Sequence, residues 1–205
     1  MRFELVAFDL YGTLLDVSGL AERLERHAGP QAATLLRAWR KEQLERSWRE
    51  KEYQPFDVVT ARALEKVAPR LDAKTRAAMC ETWLSLPPYP DARATLESLR
   101  EAGVRHAILS NGTRAMIEAA LAAAGLAVDE VRSVDEVRCY KPDPRVYALL
   151  PREKTLFVSA NGWDAGGAKR NGLTVAFIDR GSPGPDPAPD LHLRSLSEVA
   201  TAALR

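Results

Sequence analysis

The sequence predicts an α/β protein whose core is a doubly wound parallel sheet, interrupted by an inserted, all-helical cap. Three observations predict it. The apolar run Phe3 to Phe8 reads as a buried strand, and it ends at Asp9 shortly before the turn residue Gly12. The stretch from about Val17 to Leu86 carries helical periodicity and no strand signal. From Asp91 onward strands and helices alternate, as in parallel βαβ units. The core thus takes residues 1–16 and 87–205, and the cap takes residues 17–86.

Each element follows from local pattern. Val17 to Ala28 is helical, with Leu20 and Leu24 on one face, and Gly29-Pro30 stops it. A longer amphipathic helix runs from Gln31 to Glu50, with Leu36, Arg40 and Leu44 on one face and Trp39 and Trp48 on adjacent ones. Tyr53-Gln54-Pro55-Phe56 breaks it, and Asp57 is expected to cap the next helix. Asp72 is expected to cap another, ending near Leu84, and Leu86 to Pro90 is a stiff return linker. In the core, Ala92 to Ala102 is a helix closed by Gly103, and Val104 to Leu109 is a strand. Thr113 to Ala124 is a helix closed by Gly125, and a short strand lies near Val131 to Val134. A short helix runs from Asp143 to Leu150, a strand from Thr155 to Val158, and a helix from Ala165 to Asn171, closed by Gly172. Val175 to Ile178 is a strand, Gly181 to Asp190 a Pro- and Gly-rich loop, Leu191 to Leu193 a closing segment, and Ser197 starts the last helix.

Composition narrows the function. In 205 residues, 29 Lys and Arg face 28 Asp and Glu, so the net charge of +1 points neither to nucleic acid nor to a membrane surface. The hydrophobic fraction of 46% is enough for a sizeable core. Cys80 and Cys139 are far apart and make no metal-ligand pattern, and His27, His106 and His192 make no zinc site. Both cysteines are expected to be reduced, in a cytoplasmic protein without a secretory signal or transmembrane helix.

Chemistry concentrates where predicted strands end. Open α/β sheets bind ligands beyond the carboxyl ends of their strands. Asp9 to Thr13, Ser110-Asn111, the loop holding Lys141, and Ser159 to Asp164 all fall there. Asp9 reads as a carboxylate nucleophile, with an ordinary strand-to-turn acid as the other reading. Ser110-Asn111-Gly112 fits an anion site built from a hydroxyl and helix-start amides, or a plain helix cap. Lys141-Pro142-Asp143 puts a lysine before a rigid turn, where a solvated lysine is the other reading.

Taken together the motifs resemble one family. Asp9-Leu10-Tyr11-Gly12-Thr13-Leu14 resembles the Asp-x-x-x-Thr motif of the haloacid dehalogenase superfamily, in the wording of its L-2-haloacid dehalogenase branch. Ser159-Ala160-Asn161-Gly162-Trp163-Asp164 resembles that branch's Ser-x-Asn-x-Trp-Asp. Ala38-Trp39-Arg40 to Trp48 resembles its cap segment. Two departures from the superfamily's phosphatases agree. Tyr11 stands where they carry a general acid, which a halide leaving group does not need. Asp164 is the single acid in a loop where they usually have a pair, a poor Mg²⁺ cage. Arg46, where relatives usually have Tyr, and a slightly short cap depart from the branch itself.

The resemblance implies a Rossmann-like core and a hydrolase of short L-2-haloacids that needs no metal or cofactor. Asp9 would displace halide from C2 with inversion, leaving an ester that water cleaves to a D-2-hydroxy acid. It implies Lys141 and Asp164 as the groups that position Asp9 and activate water, with Thr13, Ser159 and Asn161 orienting them. Ser110 would hold the substrate carboxylate, and Arg40 and Asn111 the halide. Leu10, Tyr11, Phe56 and Trp163 would line the pocket. A haloacid is an anion attacked by an anion, so an arginine among apolar residues suits it physically. A homodimer is a further implication. The alternatives are a Mg²⁺-dependent small-molecule phosphatase on the same fold, and a non-catalytic relative that binds a small anion or a protein.

Overall fold

The computed structural model describes residues 3–204. Its centre is β1 (Leu5–Phe8), buried along its whole length. It pairs in parallel with β2 (Arg105–Ser110) on one side and β4 (Thr155–Ser159) on the other. β3 (Glu130–Ser133), β5 (Thr174–Ile178) and β6 (Leu191–Leu193) complete a six-stranded sheet of order β3-β2-β1-β4-β5-β6, in which every pairing is parallel. A strand covered on both faces needs apolar residues throughout, which is why Leu5 to Phe8 does not alternate. The order reverses at β1, so the crevice beyond its carboxyl end is the sheet's switch point. Asp9 is the next residue. Gly12, at φ 91°, makes the tight turn that follows, a conformation that a side chain would strain.

Four α-helices lie in the chain between the turn after β1 and the return at Pro87-Pro88: α1 (Leu20–Ala28), α2 (Ala32–Arg49), α3 (Phe56–Val67) and α4 (Ala73–Glu81). They pack on one another, α2 against both α1 and α3. The two chain crossings to this bundle run side by side. Leu15 bridges Pro88, Asp16 N donates to Pro87 O at 2.8 Å, and Tyr89 N donates to Leu14 O at 2.9 Å. Asp72 caps α4 as expected, its carboxylate accepting from Thr75 N at 2.9 Å. Asp57 does not cap α3. The extended Pro55 precedes the first turn, α3 starts at Phe56, and Asp57 accepts only from its neighbour Val58 N. Proline's fixed φ suits a helix start, so the N-cap falls at Pro55, two residues before Asp57.

The remaining helices cover the sheet: α5 (Ala92–Glu101), α6 (Arg114–Ala124), α7 (Pro144–Tyr147), α8 (Gly162–Arg170) and α9 (Ser197–Leu204). Two differ from expectation. α7 ends at Tyr147, three residues before Leu150. α8 begins at Gly162, so Asp164 lies in its first turn, where the helix amides favour an anion. The glycines Gly162, Gly166 and Gly167 lower helix propensity there and hid the start.

Candidate active site

The turn after β1, the segment after β4 and the loop holding Lys141 converge on Asp9. Thr13 Oγ1 donates to Asp9 Oδ2 at 2.8 Å, and Asn161 Nδ2 donates to the same oxygen at 2.8 Å. Lys141 Nζ donates to Asp9 Oδ1 at 3.1 Å. Thr13 Oγ1 also accepts from Ala160 N at 2.9 Å, which ties the β1 turn to the end of β4. Asp9 is only 6% exposed.

Lys141 is the hub. It is fully buried, and its ammonium also donates to Asp164 Oδ2 at 2.8 Å. Burial alone would push its pKa down, but Asp164 and Asp9 more than offset this and hold it above the ordinary lysine value. Asp164, also fully buried, accepts from Ser159 Oγ at 3.0 Å and from Tyr147 Oη at 2.8 Å. Burial pushes the Asp164 carboxyl up to about 6, with Asp9 adding to the rise and Lys141 opposing it. Burial and the neighbouring Asp164 push the Tyr147 phenol far above its usual range, so it remains a donor.

Tyr147 is a residue that motif reading missed. Its one signal in the sequence is position: the helix capped by Asp143 carries it back toward the Lys141 loop. A buried tyrosine hydroxyl needs a partner, and Asp164 supplies it.

Ser110 and Asn111 close the other side. Ser110 Oγ accepts from Gly112 N at 3.1 Å, and Asn111 Oδ1 accepts from Lys141 N at 3.0 Å. Among the described residues the Asn111 Nδ2 has no acceptor. The cap of α6 is Thr113, which accepts from Met116 N at 3.2 Å, so neither Ser110 nor Asn111 is spent on capping.

The helical segment adds Arg40. Its Nη1 donates to Gln43 Oε1 at 2.8 Å, and its Cζ lies 5.6 Å from the centre of the Trp83 ring. Burial lowers the guanidinium's pKa, while Asp9 and Tyr11 pull it back up. Tyr11 is buried, its ring edge-on to Trp83 at 5.7 Å. Its hydroxyl has no partner among the described residues, and burial pushes it up. Leu10 is fully buried, and its carbonyl holds the turn by accepting from Leu14 N and Leu15 N, both at 3.0 Å. The two aromatic residues expected as pocket walls each pack on another aromatic ring. Phe56 lies against Tyr140 at 5.7 Å, and Trp163 lies edge-on to Trp48 at 5.4 Å. Arg46 is held by Glu42 and Glu50 within its own helix.

The donor set does not suit Mg²⁺. An octahedral ion needs oxygen ligands, yet the gap between Asp9 and Asp164 is spanned by the Lys141 ammonium, and Asp9 Oδ2 is taken by two donors. Among the described residues, no three His, Cys, Asp or Glu side chains cluster to hold a metal.

This arrangement can attack a small electrophile with a carboxylate while keeping charge balanced in a buried site. Known proteins carry the same framework. The family model of haloacid dehalogenase-like hydrolases matches residues 3–172. An (S)-2-haloacid dehalogenase of Pseudomonas sp. (strain YL) is 38% identical over 190 aligned positions, covering 85% of this chain and 82% of the relative. Haloacetate dehalogenase H-2 of Moraxella sp. (strain B) is 37% identical over 194, covering 87% of each. The structure of L-2-haloacid dehalogenase from Xanthobacter autotrophicus with chloropropionic acid covalently bound superposes with a TM-score of 0.92, at 33% identity and 98% coverage of both chains. By the length of the family match and the identity to these relatives, the chain belongs to the haloacid dehalogenase-like hydrolases.

Proposed function

We propose that the protein is a hydrolase of carbon–halide bonds that converts short L-2-haloacids to D-2-hydroxy acids. The single observation that carries this reading is Lys141, buried between Asp9 and Asp164. It supplies the site's positive charge as a fixed ammonium. The activities named for the relatives support it.

Asp9 Oδ1 is the attacking oxygen, since Oδ2 is already held by Thr13 and Asn161. It forms a bond to C2 from the side opposite the halogen as the C2–halogen bond breaks, and the halide leaves with the electron pair. Ser110 and neighbouring amides hold the substrate carboxylate. Arg40 and the Asn111 amide stabilise the departing halide. Leu10, Tyr11, Phe56 and Trp163 line the pocket. Water then attacks the Asp9 acyl carbon. The ester's acyl–oxygen bond breaks, the new hydroxyl stays on C2, and Asp9 is restored with release of one proton. Asp164, held by Lys141, Ser159 and Tyr147, takes part in activating that water.

Residues 17–86 are the cap over a core of 1–16 and 87–205. No helix among the described residues is long and apolar enough to cross a membrane. Cytoplasmic location and a homodimer belong to the same proposal, and sedimentation mass reads the latter.

Halide release from L- and D-2-chloropropionate, measured separately in EDTA, tests the reading. Release from the L form alone, with D-lactate as product, is expected. Release only on adding Mg²⁺, or none from either form, would defeat it.

A further inference from the structure

We propose that Gln43 is a positioning residue that locks the Arg40 guanidinium in place for the departing halide. This rests on Arg40 acting at the halide, as in the proposed function.

Gln43 is fully buried within the cap, where an amide is costly unless both its groups are paired. Its Oε1 accepts from Arg40 Nη1 at 2.8 Å, and its Nε2 donates to Thr60 Oγ1 at 2.6 Å. Thr60 Oγ1 in turn donates to Phe56 O at 2.6 Å, and Trp39 Nε1 donates to Thr60 O at 2.8 Å. The direction of this chain is forced. A hydroxyl has one proton, and that of Thr60 goes to the Phe56 carbonyl, so it must accept from Gln43. The amide nitrogen therefore faces Thr60 and the amide oxygen faces Arg40. A guanidinium has only donors, so this is the one orientation that serves it. The backbone of α3 thus sets the angle of a side chain on α2.

Trp83 stands on the other side. Arg40 lies over its ring, which is itself wedged edge-on between Trp39 and Tyr11. One nitrogen is tied to Gln43 and the plane is backed by indole, so the remaining N–H groups are held in the field of Asp9. A free arginine side chain has several rotatable bonds to freeze. Charge appears on the halogen only as its bond to C2 stretches, so a donor that must first reorient gives up most of its effect. The compact chloride ion concentrates charge more than bromide. Loss of alignment should therefore slow chloride departure more.

The test is single-turnover halide release, with enzyme in excess, from L-2-chloro- and L-2-bromopropionate. Gln43→Met keeps length and volume but removes the acceptor. Thr60→Val removes the anchor without touching Arg40, and it carries the test if Gln43→Met does not fold. Chloride release in Gln43→Met should slow by about tenfold, bromide release by less, and the bromide-to-chloride ratio should rise. Thr60→Val should shift the ratio the same way, by less. In an Arg40→Lys background, Gln43→Met should add nothing. Equal loss for both halides, an unchanged ratio, or a full effect persisting with Arg40→Lys would overturn the inference while leaving the dehalogenase reading intact. Failure of the wild-type enzyme to release either halide would overturn both.

Discussion

The Lys141 ammonium lies 2.8 Å from Asp164 Oδ2 and, on its other side, 3.1 Å from Asp9 Oδ1. Lysine and both acids come from the ends of different core segments, and all are buried. A lone carboxylate in such a site would protonate rather than stay charged. The shared cation is what permits two acids to remain ionised side by side, and the second cation, Arg40, is supplied by α2 from the other side of the site.

Lys141→Met should therefore destabilise the fold as well as end activity. Removing one partner of a buried ion pair costs about 3–5 kcal/mol, because the other charge is left uncompensated. The sign with pH follows from the acids that remain. Burial already raises the Asp164 carboxyl and Lys141 opposes the rise, so without the lysine it lies further above its unfolded value, and stability falls as pH rises past the unfolded carboxylate range near 4. The deficit relative to wild type should be larger at pH 8 than at pH 5, read from urea midpoints at both. A deficit independent of pH would mean that packing, and not charge, is what the lysine provides.

Asp9→Asn should remove steady-state turnover while leaving the fold intact, since Asn keeps an oxygen for Thr13 and Asn161. Intact-protein mass, taken before the assay, must show that the Asn has not hydrolysed. Undiminished turnover with the amide present would remove Asp9 from the role of nucleophile.

Much of this was legible in the chain, for physical reasons that differ by region. The core site was readable because a parallel sheet sends its functional residues to strand ends, so Asp9, Ser110 and Ser159 announce themselves by following apolar runs. Tyr147 was not readable, because a tyrosine on a short helix looks like packing until the fold swings that helix back to Asp164. Gln43 was hidden for a related reason. Its neighbours on α2 are Arg40 and Glu42, and only the approach of Thr60 from α3 shows that its amide is buried and directional. Arg46 stood out as a departure from relatives, but its partners Glu42 and Glu50 had to be seen to make it a helix-bound ion pair.

Tyr147→Phe should move the acid limb of the rate profile. Burial raises the Asp164 carboxyl to about 6, and the Tyr147 hydroxyl is one of the groups pulling it back down. If ionised Asp164 is needed, single-turnover ester hydrolysis should fall as pH drops through about 6. Removing the phenol hydrogen bond withdraws stabilisation from the charged form, so the limb should move up by about one pH unit, the worth of one bond to a charged group. The halide-release step should keep its profile, because Tyr147 bonds to Asp164 and not to Asp9. A limb unmoved in both steps would mean that Asp164 does not titrate in catalysis.

Gly167→Ala should reach the same carboxylate from the opposite direction. Gly167 lies in α8, where alanine ordinarily stabilises a helix by about 1 kcal/mol. Here an added Cβ would fall 2.6 Å from Tyr147 Oη and 2.8 Å from Pro142 Cβ, closer than side-chain carbons pack. Something must shift. Pro142 is locked in the chain next to Lys141, so the Tyr147 phenol is the part that gives, and its 2.8 Å hydrogen bond to Asp164 breaks. The variant should therefore lose stability despite its better helix propensity, and it should show the raised acid limb of Tyr147→Phe. Combining the two changes separates the causes. With the hydroxyl already gone the closest contact is removed and only that to Pro142 Cβ stays below 3 Å, so Gly167→Ala in a Tyr147→Phe background should cost less stability than it does alone and should move the limb no further. Additive losses in both readouts would instead place the strain at Pro142, on the Lys141 side of the site.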